Sequence, residues 1–166
     1  DHYFVNFADA SAVVTLSPSL TFRYGKAIGD RGMVALGAWA AREQNLDSGV
    51  LNDSLARQLP ALFALDALAK AEPGQPLPRD VWLDGIQFFS ARDVKGKSEG
   101  FYVAAKGGHN AESHNHNDVG NFIVYVDGRP VIADAGVETY TAKTFSSTRY
   151  ELWTMQSAYH SLPTVN

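Results

Sequence analysis

The sequence of 166 residues contains no cysteine, which excludes a disulfide framework, a thiolate zinc site and a thiol nucleophile, and removes thiols as a guide to redox compartment. It also lacks a surplus of positive charge. Its 14 Lys and Arg stand against 18 Asp and Glu, with seven basic and nine acidic residues in each of 1–80 and 81–166. Nonspecific affinity for nucleic acid comes from neutralising phosphates with excess cations, so the balance argues against binding a polyanion by bulk charge, and an acidic substrate has to be met by local groups. No apolar run is long enough for a membrane span, and no signal segment is visible. The first residue is Asp1, not Met, and Pro163-Thr164-Val165-Asn166 reads as the middle of a strand. The chain is therefore expected to be a piece of a longer protein, whose location the missing targeting segment does not reveal.

What is present suits ordinary globular structure. With 45% hydrophobic and 19% charged positions, such a chain builds one or two domains and removes roughly 70% of its unfolded surface from water. No repeat or low-complexity tract occurs. Character changes at Pro73-Gly74-Gln75-Pro76-Leu77-Pro78, where three prolines in six residues read as a linker. Before it the periodicity is helical. Met33, Leu36, Ala40 and Ala41 recur at spacings of three and four, with Gly32 as a start. Asp47 or Ser48 is expected to cap a second helix, and Pro60 to sit in the first turn of a third, ahead of Leu62, Phe63, Leu65, Ala67 and Leu68. Residues 3–29 give no clear period; Val13 to Leu16 fits strand or helix, and Pro18 ends either.

Beyond the linker the pattern is that of strands and turns. Ile86 to Ala91, Phe101 to Ala105 and Phe122 to Val126 are rich in aromatic or β-branched residues, with Lys95-Gly96-Lys97 as one turn. Asp127-Gly128 is a two-residue hairpin signal, with Arg129-Pro130-Val131-Ile132-Ala133 returning. The first part thus predicts a helical segment, 1–79, and the second a piece of antiparallel β-sandwich, 80–166.

Four of the five histidines fall between positions 109 and 160. His114 and His116 lie two apart in Ser113-His114-Asn115-His116-Asn117-Asp118. In an extended segment that spacing puts both rings on one face, able to converge on one metal or one substrate. Asp134 ends the returning strand of the hairpin, which brings its carboxylate back toward His116, and His160 follows after a loop. A His, Asp, His donor set suits zinc or another borderline divalent ion. The rival reading is a polar turn, since Asn-His-Asn-Asp is turn composition, and Asp134 alone fits an Asx-turn before Gly136. His2 and His109 read as surface histidines. Trp39, Trp82 and Trp153 suit either sugar stacking or core packing. Arg129 and Arg149 offer forks for a carboxylate or simply solvate their loops, and Gly107-Gly108 is too short for a phosphate loop.

The ordered series Lys106-Gly107-Gly108, Ser113 to Asp118, Asn121-Phe122, Asp127-Gly128-Arg129-Pro130, Asp134-Ala135-Gly136, Tyr140 and Tyr159-His160-Ser161 resembles the C-terminal β-sandwich region of the heparinase II/III family of polysaccharide lyases. The first half resembles the last helices of that family's (α/α) toroid. The fold class implied is α+β, with terminal toroid helices followed by part of an antiparallel β-sandwich. The resemblance implies that His114 lies in the catalytic cleft, that His116, Asp134 and His160 bind zinc, and that the reaction is β-elimination across a hexuronic acid in an acidic polysaccharide such as a heparan-sulfate-like or alginate-like glycan. In the family a toroid tyrosine, helped by a histidine or asparagine, transfers protons; those residues would precede Asp1, so the chain alone is expected to be inactive. Tyr140 is the tyrosine beside the motif, and no catalytic role is assigned to it. A periplasmic or secreted location follows from the same resemblance. Two other classes compete: a noncatalytic carbohydrate-binding or structural module that keeps the metal, and a metal-dependent hydrolase or HNH-type nuclease suggested by His114-Asn115-His116, against which the acidic balance argues. The glycan, the substrate-binding residues and the oligomeric state are not legible.

Overall fold

The computed structural model describes residues 2–45 and 54–163. Among the described residues it is an α+β fold of three α-helices followed by one five-stranded antiparallel sheet, and it divides into two compact units, 15–77 and the combination of 1–14 with 78–166. A single cut at 79/80 therefore misplaces the first fourteen residues, which pack with the sheet.

In the helical unit, α1 (Pro18–Ile28) begins with proline at its first position, where the missing N–H costs nothing because it would have no partner. Pro18 thus starts a helix where the sequence reading had it end an element. The next helix, α2 (Arg31–Glu43), is capped by Asp30, whose side chain accepts from the Met33 N–H at 3.0 Å; the cap is Asp30, not Gly32. Between them Gly29 takes φ +72 and turns the chain. The two helices approach closely because both carry glycine at the contact: a Cβ on Gly37 would stand 2.7 Å from the Phe22 nitrogen, and one on Gly25 would stand 2.8 Å from the Met33 Cβ. Phe22, Ala38, Ala41 and Leu68 form the core. The last of these belongs to α3 (Leu55–Lys70), which contains Pro60 at its sixth residue and not in its first turn. That leaves the Ala56 carbonyl without its helical donor, a local loss that the rest of a helix of 16 residues outlasts. The expected caps Asp47 and Ser48 lie outside the described residues.

The sheet runs β1 (Asp80–Leu83), β2 (Phe88–Arg92), β3 (Phe101–Lys106), β4 (Phe122–Val126) and β5 (Arg129–Ile132) in simple sequential order. Asp127 and Gly128 both have positive φ, +50 and +74, which is the backbone a two-residue hairpin needs to match strand twist. Ala104, Ile123 and Tyr125 are buried with Val5, Phe7, Phe88 and Tyr102 around them. The N-terminal segment is pinned to this layer: the Tyr125 hydroxyl donates to the Phe4 carbonyl at 2.9 Å, the Phe4 N–H to the Ala12 carbonyl at 2.8 Å, and the Ala10 N–H to the Phe7 carbonyl at 3.2 Å. After β5 the chain continues in turns and three short 3-10 segments between Arg149 and Tyr159.

Candidate functional site

Residues 113–118 are not the extended strand that the same-face argument assumed: Ser113 and His114 lie in a turn, His114 with φ +56, and the rest belong to no strand. The two rings therefore part company. His116 is fully buried, whereas the His114 side chain is 54% exposed. They share one neighbour that the sequence reading missed, Asp9. Its Oδ2 lies 2.6 Å from His114 Nδ1 and accepts from the Tyr140 hydroxyl at 2.6 Å, while its Oδ1 lies 3.0 Å from His116 Nε2. Asp9 follows Ala8, whose φ of +52 is uncommon for a residue with a Cβ. No local signal marks this aspartate, because all its partners lie more than 100 positions away. Burial works to raise its pKa, but the hydrogen bonds from Tyr140, His114 and His116 outweigh it and hold the carboxyl below the usual carboxylate range. The same contact pushes the Tyr140 phenol up, first through the hydrogen bond to Asp9.

The hairpin does return Asp134 to the interior. Its Oδ2 lies 2.7 Å from His160 Nδ1 and accepts from the Asn121 amide, while its Oδ1 accepts from the Gly136 N–H at 2.7 Å. The last contact is the Asx-turn anticipated for Asp134, made together with the histidine pairing. Asn121 completes the frame: its Oδ1 accepts from the Ser161 N–H at 3.0 Å, and the Phe122 N–H donates to the Ser161 carbonyl at 3.0 Å, so the end of the chain is stitched to the start of β4 beside His160. Desolvation opposes charge on both members of the pair, yet the mutual hydrogen bond and attraction win: Asp134 is lowered and His160 raised, the latter also by Asp118.

His116 and His160 are neighbours, with ring centroids 5.5 Å apart. Each keeps one buried nitrogen without a hydrogen-bond partner, Nδ1 of His116 and Nε2 of His160; the Thr154 carbonyl assists the His160 charge without completing such a bond. In kind, two imidazoles and a carboxylate are zinc donors. In arrangement they form a hydrogen-bonded cluster: among the described residues no three His, Asp or Glu side chains are grouped so as to hold a metal ion.

Around His114 the surface is aromatic. Phe145 stands edge-on to the rings of His114 and Tyr140, each with centroids 5.1 Å apart, and the Arg149 guanidinium lies 5.8 Å from Phe145 and 5.5 Å from the Tyr150 ring. Arg149 is thus part of the site region and does more than solvate a loop. Trp82 and Trp153 are more than 45% exposed, and His109 accepts from the Ala111 N–H on the surface. Lys106, of the Lys-Gly-Gly run, is held by Asp118 at 2.7 Å and Glu112 at 3.3 Å, so that run serves a buried ion pair.

Residues 85–165 match the family described as Heparinase II/III-like, C-terminal. Among solved structures, a heparinase III with methylated lysines is similar at 13% identity and a TM-score of 0.44, over 94% of this chain and 29% of that one. A mutant of the heparan sulfate lyase HepC from Pedobacter heparinus is similar at 19% identity and a TM-score of 0.37, over 86% of this chain and 29% of that one. The chain thus spans 29% of the length of each. No curated protein matches it. The matched stretch, 85–165, carries His114, His116, Asp134 and His160 and is similar to the heparinase II/III-like C-terminal family.

Proposed function

We propose that this chain supplies one wall of the cleft of a polysaccharide lyase that cleaves uronic-acid-containing glycans, heparan-sulfate-like or alginate-like, by β-elimination. The observation that carries the reading is the contrast between two histidines of one motif: His116 is wholly buried with Asp134 and His160, while His114 opens to solvent. One ring builds the structure and the other faces substrate.

Elimination needs a base to take the C5 proton of the uronate. The C5–H electron pair becomes the C4=C5 double bond, the C4–O bond breaks, and the leaving oxygen takes a proton from an acid. His114 is the catalytic group of this chain, placed to move one of those protons through the ring nitrogen that faces away from Asp9. Arg149, flanked by Phe145 and Tyr150, supplies a cation beside the same rings for the uronate carboxylate, whose neutralisation makes the C5 proton acidic. By donor type His116, Asp134 and His160 are the residues that would hold a zinc ion, although Asp134 here bonds His160 instead; when bound, the ion would clamp the loops that carry them. A polymer substrate of this kind suits a periplasmic or secreted protein; among the described residues no helix is long and apolar enough to cross a membrane.

Incubating the intact protein with heparan sulfate, alginate and other uronate polymers and following absorbance of the unsaturated product tests the proposal. Product from at least one polymer, lost in His114→Ala, is the expected result. Tight binding of a glycan without any product would instead assign the fold to a noncatalytic carbohydrate-binding module.

A further inference from the structure

Resting on that lyase reading for its kinetic consequence, we infer that Asp9 is the positioning residue of the site: it sets which nitrogen His114 presents to substrate, holds the Tyr140 hydroxyl beside it, and fixes which nitrogen of His116 is turned inward.

The argument is one of donors and acceptors. An ionised carboxylate only accepts hydrogen bonds. Each of the three groups that touch Asp9 must therefore donate. The neutral ring of His114 carries its proton on Nδ1, which leaves the lone pair on Nε2 of a half-exposed side chain. Tyr140 is held as the neutral phenol. The neutral ring of His116 carries its proton on Nε2, which leaves the buried Nδ1 with a lone pair and no partner. That is the state in which an imidazole can ligate a cation, its other ring nitrogen being oriented by a carboxylate. The contact at His114 survives a proton cycle, because the imidazolium still donates through Nδ1 while the carboxylate stabilises its charge.

Two further features separate Asp9 from an ordinary loop acid. Its side chain is only 13% exposed although it sits on a surface segment. That segment is held by main-chain bonds and by Tyr125 of the sheet, so the carboxylate arrives on a braced support. His114 and Tyr140 share a single oxygen, Oδ2, so the loss of one carboxylate frees both at once. Asp9 itself need touch no reacting atom.

The test uses the intact protein, labelled with nitrogen-15 in its histidines, together with Asp9→Asn and Asp9→Glu. In the wild type the ring-nitrogen shifts should report His114 protonated on Nδ1 and His116 on Nε2, a readout that needs neither activity nor a variant. Asp9→Asn should lower kcat about 100-fold or more while KM stays within about twofold, and should mix the tautomers of both rings; Asp9→Glu should recover at least tenfold of the loss. The opposite tautomers in the wild type, or Asp9→Asn with unchanged kcat, overturn the inference. Failure of the wild type to cleave any uronate polymer, with the expected tautomers present, sinks the lyase reading and leaves the positioning role standing.

Discussion

His114 and His116 stand two positions apart and meet the same carboxylate, yet a buried ring and an exposed ring answer differently to removal. His116→Ala opens a buried polar cluster and removes a proposed metal donor, so zinc content and melting temperature of the intact protein should both fall. His114→Ala should keep both and lose turnover by roughly 100-fold or more, the scale of a positioned acid-base group. Metal analysis, thermal melting and the product assay on the two variants check this; equal loss of zinc in both would make the pair a two-histidine metal site. Tyr125 permits a pH prediction. Burial, with a smaller contribution from Tyr102, raises its pKa above 10.0. The folded state therefore favours the protonated phenol: the associated stability is complete below pH 10 and is lost as pH rises toward the folded value. Tyr125→Phe should cost about 1 kcal/mol at neutral pH through the lost bond to Phe4. Its urea midpoint should then decline less steeply above pH 10 than that of the wild type.

Among the elements, those with short-range chemistry were legible. Phe122 to Val126, the Asp127-Gly128 turn and the returning strand need only β-branched residues and a turn that tolerates positive φ, and all three are where the pattern put them. The strand β1 escaped notice because Asp80–Leu83 is four residues long and takes its definition from its partner, with Trp82 opposite Phe89. Pro60 misled because a proline rule describes preference within a turn, while packing of Leu68 in the core rewards the whole of α3. The α1/α2 contact offers a sharp test. Gly37→Ala gains about 1 kcal/mol in helix propensity, but its Cβ would stand 2.7 Å from a main-chain atom of Phe22 that has no rotamer to escape into. An overpacking cost toward the upper part of about 1–3 kcal/mol wins, and the melting temperature should fall. Gly85→Ala meets nothing within 4 Å and should change stability by no more than about 0.5 kcal/mol.

At the scale of the whole molecule, the site was half legible. His114, His116, Asp134 and His160 could be picked out because they cluster in the last third of the sequence and a hairpin visibly returns one of them. Asp9 could not, since no period or spacing rule reaches across the 105 positions that separate it from His114. If the proton-transfer partners of His114 lie on toroid helices, as the resemblance implies, these 166 residues by themselves should yield no unsaturated product under conditions where the intact protein does; robust turnover by the chain alone would place those partners within it.

The sheet unit is assembled from two stretches, 1–14 and 78–166, with the helical unit encoded between them. On the ribosome this order sets a timetable. At about 5–20 residues per second, Asp9 is synthesised about 5–20 s before His114, and through that interval the segment that carries it has no β4 to lie on. The helices, built from contacts close in sequence, close first. The carboxylate that joins His114, His116 and Tyr140 therefore belongs to the last contacts made, and maturation of the site reports completion of the chain through Tyr140 and His160.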